Sequence, residues 1–371
     1  SRPERIAWAR LARTPRIGPL TFHRLLGRFK SASAALEALP RISDSKPPAE
    51  ARIADELDAL EAIGARLLAC CEPDYPPLLA QLDAPPPLLA VRGDAKMLQR
   101  PAIALIGARD GSAAALMLAQ QIATDLGAAG FVVVSGLARG VDGAAHKGAL
   151  TTGTVAVLAG GLDHPYPPQN LKLHEAIVAK GVVVTEAPLG TVARARDFPR
   201  RNSIISGLSR AVVVIEAALR SGSLITARAA GDQGRDVMAA PGSPLDPRAR
   251  GANALIKQGA ALIESAEDVI AALEAAPATI SRAPRQWRLF EEEENLSPPP
   301  PAADMNGVTK KLAGLLSPTP IHLNELARLL GVGIGQVAAA LTELEIEGRA
   351  ASLPGGYAAT AQAAFSRNGE A

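Results

Sequence analysis

Aromatic residues are scarce: phenylalanine, tyrosine and tryptophan make up 3% of the 371 residues. That leaves few candidates for base stacking. Cysteine is scarcer still. The two present, Cys70 and Cys71, are neighbours, and adjacent cysteines cannot staple distant parts of a fold. That usage suits a reducing, cytoplasmic compartment. Nor can two cysteines complete a zinc site, and the five histidines (His23, His146, His164, His174, His322) show no metal-ligand spacing. No metal and no cofactor is expected. No apolar run approaches the ~18 residues of a membrane span, and the opening Ser1-Arg2-Pro3-Glu4-Arg5 lacks a signal-peptide core. A large charge excess is also missing. With 39 basic against 37 acidic residues the net charge is +2, which excludes a histone-like polycation. Any nucleic-acid footprint must come from local clustering.

What is present is enough apolar material for a sizeable core: 48% hydrophobic and 20% charged residues. Four blocks follow one another. Residues 1–65 suggest short helices. Residues 66–280 alternate apolar strands with helical stretches. Residues 281–304 carry Glu291 to Glu294 and then Pro298 to Pro301, an acidic, proline-rich linker that packs no core. Residues 305–371 hold a last small unit.

The central block carries the strongest fold signal. Ala102–Ile106, Phe131–Val134, Thr154–Leu158, Val182–Thr185, Val212–Ile215 and Val237–Ala239 are continuous apolar runs, mostly β-branched. Continuous rather than alternating burial means that both faces of the sheet are covered. Ser112–Ala129 and Asn170–Ala179 are long enough for crossover helices. The expected class is α/β, a Rossmann-like, doubly wound, mostly parallel sheet. Two earlier runs, Arg66–Cys70 and Leu88–Val91, would add strands at one edge.

Ligands of such sheets bind beyond the carboxyl ends of the strands. Here those ends read Gly107-Ala108-Arg109, Ser135-Gly136-Leu137-Ala138-Arg139-Gly140, Ala159-Gly160-Gly161, Thr185-Glu186, Glu216 with Ser221-Gly222-Ser223, and Pro241-Gly242-Ser243. Small residues let backbone N–H groups approach an anion, so a phosphate-binding rim is expected. The chemistry is narrowed by what the rim lacks. It has no G-x-x-x-x-G-K-[ST] loop, and Arg109 stands where a dinucleotide fold wants a small residue. Gly207 precedes a strand, so no nucleophile elbow exists. His146, in a helix expected over Asp142–Leu150, suits a structural hydrogen bond. Glu186 and Glu216, at strand ends, form either a carboxylate pair or anchors for basic side chains and helix ends.

Between Arg194 and Asn202 lie four arginines and one aspartate, a local charge of +3 around Phe198. Two readings stand. Guanidinium groups hold phosphates while the ring stacks a base, or the segment is a solvated loop with Phe198 as a core anchor.

These residues, in order, resemble the DNA-processing protein A (DprA/Smf) family. The matching stretches are Ile106-Gly107-Ala108-Arg109, Ser135 to Asp142 with Ala145-His146, Gly161-Leu162-Asp163 with Tyr166-Pro167, and Phe198-Pro199-Arg200-Arg201-Asn202 with Ile204 to Ser209. Glu216-Ala217, Ser221 to Ala227, Pro241-Gly242-Ser243, Gly251, Asn253, Leu255-Ile256 and Gly259-Ala260 complete the set. The resemblance implies a cytoplasmic recombination mediator of natural transformation and competence. Such a protein binds and protects single-stranded DNA, forms a homodimer and loads the RecA recombinase, without catalysis and without a membrane. It places the DNA site on Gly107, Arg109, Ser135, Gly136, Arg139, Phe198, Arg200, Arg201, Asn202, Ser221, Gly222, Ser223 and Thr226. Two departures lower the charge of that site. Ser203 replaces the last arginine of an Arg-Asn-Arg triplet, and Pro168-Gln169-Asn170 follow Tyr166-Pro167 where a lysine is usual.

The flanking blocks are less specific. Arg16 to Leu20, followed by Phe22, Leu25, Leu26 and Phe29, is similar to the family's helix-hairpin-helix or SAM-like domain, and a plain helix-packing domain fits equally. The tail suggests helices over Val308–Leu316, Asn324–Leu330 and Ile334–Glu347, then a hairpin wing over Arg349–Leu353 and Tyr357–Ala359: a winged-helix outline. Its would-be recognition helix carries Glu343, Glu345 and Glu347 and no lysine or arginine. That disfavours duplex reading and favours a protein-contact or regulatory module. Two other functions compete with the mediator: a phosphoribohydrolase-like nucleotide enzyme working through Glu216, and a transcription factor acting through the tail.

Overall fold

The computed structural model describes residues 2–275, 305–316, 321, 323–332, 334–353 and 356–359. They fall into two compact units, residues 2–54 with 305–359, and residues 55–275. The linker expected over 281–304 lies outside the described residues.

The chain opens with α1 (Arg2–Ala12), α2 (Pro19–Phe29) and α3 (Ala32–Ile42). Gly18 is the extended N-cap of α2, and Pro19 takes the first helical turn, where its missing N–H costs nothing. The 3.6-residue period of α2 buries Phe22, Leu25 and Leu26. The Phe22 ring meets Trp8 of α1 edge-on at 5.1 Å. Ser31 caps α3 by accepting the Ala34 N–H.

The central elements follow as α4 (Glu50–Ala62), β1 (Ala65–Ala69), α5 (Pro77–Ala80), β2 (Leu88–Gly93), β3 (Ala102–Gly107), α6 (Ala113–Ala128) and β4 (Val132–Ser135). Next come α7 (Val141–Gly148), β5 (Thr154–Val157), α8 (Leu171–Lys180), β6 (Val182–Thr185), α9 (Asp197–Gly207) and β7 (Ala211–Ile215). The series ends with α10 (Gly222–Asp232), β8 (Asp236–Ala239), α11 (Arg250–Lys257), β9 (Ala261–Leu262) and α12 (Ala266–Ala275). The strands form one nine-stranded sheet in the order β1-β2-β6-β5-β4-β3-β7-β8-β9. The pairs from β6 across to β9 are parallel. β1 and β2 add an antiparallel edge, β2 lying against β6. The expected runs are therefore the inner strands, and the early pair is the edge. β9 was not foreseen.

The doubly wound core explains the valine-rich strands. Ile103, Leu105, Val133 and Val213 are buried on the face that receives Ile122 and Leu126 of α6 and Val269 of α12. Burying each such side chain stabilises the fold by about 1.5–3 kcal/mol. Beyond β6 the chain crosses back to lie beside β3, so the winding reverses between β3 and β7. Such a switch point normally opens a ligand crevice. Here it is filled. Glu216, with φ of 57°, accepts the Ser112 N–H at 2.9 Å and the Ser112 hydroxyl at 2.5 Å. Ser112 in turn caps α6 through the Ala115 N–H. Glu216 is thus a helix anchor, one of the two roles the sequence left open for it.

The tail comprises α13 (Met305–Leu315), α14 (Leu323–Leu330), α15 (Ile334–Ile346), β10 (Ala350–Leu353) and β11 (Gly356–Ala359). β10 and β11 pair antiparallel as the wing. Leu312, Leu326, Val337, Leu341 and Leu344 pack with Tyr357 as its core. No described helix is long and apolar enough to cross a membrane.

Candidate functional site

A pocket of about 250 Å³ opens over the carboxyl ends of β3, β4 and β5. It is lined by the small or apolar residues Gly136, Ala138, Leu158, Ala159, Gly160, Pro167 and Ala193, and by Arg109, Arg139, Tyr166, Gln169, Phe198 and Arg201. Phe198 sits in the first turn of α9. The Arg109 and Arg201 guanidinium carbons lie 5.3 and 5.5 Å from its ring centroid, within cation–π range. Tyr166 meets the same ring edge-on, at 6.2 Å and 72°.

Arg201 is the unusual member, since it is only 6% exposed. Its Nη1 lies 3.9 Å from Asp142 Oδ2, and its Nε is buried with no hydrogen-bond partner among the described residues. Burial pulls its pKa down, the Asp142 carboxylate holds it up, and Arg109 pushes it down again. Asp142, in the first turn of α7, accepts the N–H groups of Gly136 and Ala138 at 3.2 and 3.3 Å. Burial raises its pKa, against the pull of Arg201 and these amides. Gly136 must be glycine for a local reason: a Cβ there would overlap Arg201 Nη1 and come within 2.9 Å of Asp142 Oδ2.

Beneath the loop, His146 is fully buried. Leu137 N–H donates to its Nε2 at 3.3 Å, and its Nδ1 lies 2.7 Å from Thr154 Oγ1. Thr154 spends its own proton on the Val133 carbonyl, so Nδ1 carries the imidazole proton and the ring is neutral. Burial first, and Arg201 second, lower its pKa from 6.5 to about 3. In that interval the unfolded chain binds a proton that the folded chain refuses, so stability falls as the pH is lowered. One such group contributes a slope of about 1.4 kcal/mol per pH unit. Urea titrations from pH 7 to pH 4 should show a shallower slope for His146→Gln than for wild type. Equal slopes would contradict a neutral buried His146.

Of the residues expected at the DNA site, Arg109, Gly136, Arg139, Phe198 and Arg201 line the pocket. Arg139 is exposed, with Nη2 3.2 Å from Asp110. The others stand elsewhere. Gly107 is packed beneath the Ile215 carbonyl, where a Cβ would also strike Val141. Ser135 is buried and donates to the Leu105 carbonyl at 2.6 Å. Arg200 lies outside the lining and is held by Glu186 at 3.0 and 3.3 Å, which makes Glu186 an anchor for a basic side chain. Asn202 donates to the Gly222 carbonyl at 3.3 Å. Ser221 caps α10, its hydroxyl 2.5 Å from that of Ser223, while Gly222 borders open space. Thr226 is buried.

Tyr166 lines the pocket but was not among the expected site residues. Tyrosine occurs three times in the chain, and that rarity was the available signal. The two departures also separate. Gln169 faces the pocket, whereas the Ser203 hydroxyl accepts from Gln233, just past α10, and is absent from the lining.

Residues 66–274 match the family model of DNA recombination-mediator protein A. The chain belongs to that family. Residues 2–65 match the DprA-like N-terminal HHH domain, and residues 297–356 the DprA winged helix domain. The Smf protein of Synechocystis is 36% identical over 309 residues, covering 76% of this chain and 77% of that one. The Escherichia coli Smf protein is 37% identical over 286 residues, covering 76% and 74%. Among solved structures, DNA processing protein A of Streptococcus pneumoniae superposes with a TM-score of 0.62 at 30% identity, covering 71% of this chain and 95% of that one. DNA processing protein A of Helicobacter pylori, solved to explain its single-stranded DNA binding mode, gives 0.52 at 30% identity, covering 57% and 95%. In this DprA-family chain the described residues gather no group of three or more His, Cys, Asp or Glu able to hold a metal.

Proposed function

We propose that this chain binds single-stranded DNA across the Phe198 pocket and works as a cytoplasmic, homodimeric mediator that presents the strand to RecA. The observation that carries this is one half-buried ring flanked by two guanidinium groups in a pocket of nucleobase size. A base enters edge-on to Tyr166 and stacks on Phe198, while Arg109 and Arg201 favour the adjoining phosphates. Arg139 and Arg200 are exposed. They exchange Asp110 and Glu186 for phosphate oxygens, and the amides at the start of α10, by Ser221 and Gly222, extend the track. The role is binding rather than catalysis, since Glu216 is committed to Ser112 and Glu186 to Arg200. Loss of nucleoside monophosphate turnover on Glu216→Ala would instead support an enzyme.

The test is an oligothymidine titration of wild type and Arg109→Ala at several salt concentrations. Loss of one charge-assisted contact predicts about tenfold weaker binding. With about four phosphates neutralised, log K falls with log salt at a slope of about −3. Equal affinities, or a flat salt dependence, would overturn the proposal.

A further inference from the structure

The acidic end of α15 poses a physical problem that its own helix does not solve. Glu343 and Glu345 lie in the last turn of α15, where the helix dipole is already negative and which holds no basic residue; Glu347, just past the helix, is met by Arg349 at 3.1 Å. α2 has the mirror problem. Arg24 and Arg28 are spaced i,i+4, so two like charges share one helix face.

The fold pairs the two faults. Arg24 Nη1 donates to Glu345 Oε2 at 2.8 Å, and Arg28 Nη1 to Glu343 Oε1 at 2.8 Å. Arg24 also donates to the Tyr357 hydroxyl of the wing and lies 5.2 Å above that ring. Glu343 is held from the other side by the Thr309 hydroxyl at 3.1 Å. The Arg24–Glu345 side chains are only 20% and 12% exposed. The guanidinium of Arg16, in the turn before α2, lies beside Gly348, just past α15. Two carboxylates of one helix therefore occupy two arginines of the N-terminal domain, each pair closed by a charge-assisted hydrogen bond of the kind a phosphate oxygen would accept.

We propose that α2 carries a second site for a nucleic-acid phosphate chain, built on Arg24 and Arg28, which α15 occupies as a built-in phosphate mimic. The tail then acts as a gate on the N-terminal domain rather than as a groove reader. Nucleic acid and α15 compete for the same guanidinium groups. The site is distinct from the Phe198 pocket and does not depend on it.

The experiment uses the full chain with Glu343→Gln and Glu345→Gln, which remove the mimic's charge and keep its shape. Fluorescence anisotropy follows a 20-base oligothymidine and a duplex of equal length. Freeing the two pairs is expected to tighten binding about three- to thirtyfold and to steepen the single-strand salt slope by about 1.4. A gain with oligothymidine alone assigns the site to single strands, and a gain with both assigns it to either form. The gain should persist when Arg109→Ala is added, and should vanish when Arg24→Gln and Arg28→Gln are added. Unchanged affinity with both probes, or a gain that survives loss of both arginines, overturns the proposal. A second measurement stands apart from folding of the double variant. In Arg28→Lys, a zero-length carbodiimide should couple positions 28 and 343, and saturating polynucleotide should suppress that coupling. Coupling that is absent, or indifferent to polynucleotide, overturns it equally.

Discussion

Asp142→Ala is expected to lower the unfolding free energy by about 3–5 kcal/mol, the cost of leaving a buried charge without its partner. Arg201 is only 6% exposed, so water can replace little of what it loses. Its guanidinium lies against Gly136, its Nε already lacks a partner, and Asp142 is the carboxylate beside it. The substitution also strips the acceptor from the Gly136 and Ala138 amides. Urea denaturation followed by circular dichroism measures the loss. Combining the change with Arg201→Met should recover part of it, because removing both charges avoids the stranded cation. A loss below about 1 kcal/mol, or a double variant no better than the single, would show that the pair does not hold the loop.

Phe198→Ala is expected to weaken oligothymidine binding by about 5- to 150-fold, from the 1–3 kcal/mol that one aromatic stack contributes. The ring is also the surface on which Arg109 and Arg201 rest, so its removal disorganises two cations along with the stack. Phe198→Tyr keeps the ring face and should stay within about threefold of wild type. Anisotropy titrations at fixed salt decide the matter. If alanine binds as tightly as phenylalanine, the pocket does not receive a base.

Much of the sheet was legible because burial on both faces forces continuous β-branched runs, and those runs became β3 to β8. β9 was not legible, since two residues, Ala261 and Leu262, establish no periodicity. The site was legible at the level of segments and not of side chains. A strand-end residue is identifiable by position, but a period of two decides which way it points. Ser135 ends β4 and turns its hydroxyl into the sheet, to Leu105. Gly107 ends β3 and serves close packing beneath Ile215. Arg201 is the opposite case. Arginine is ordinarily a surface residue, and nothing local announces its burial against Asp142, far away along the chain. The glutamates of α15 were seen as a mark against duplex reading. Their partners could not be seen, because Arg24 and Arg28 stand 321 and 315 residues away.

The pocket wall joins two kinds of residue. Arg201 is locked into the loop that Gly136 and Asp142 define, whereas Arg139 and Gln169 are exposed on the same rim. Substitution at the first disturbs the scaffold itself; substitution at the second pair leaves it standing. The accessible lip is thus open to substitution without endangering the architecture beneath it.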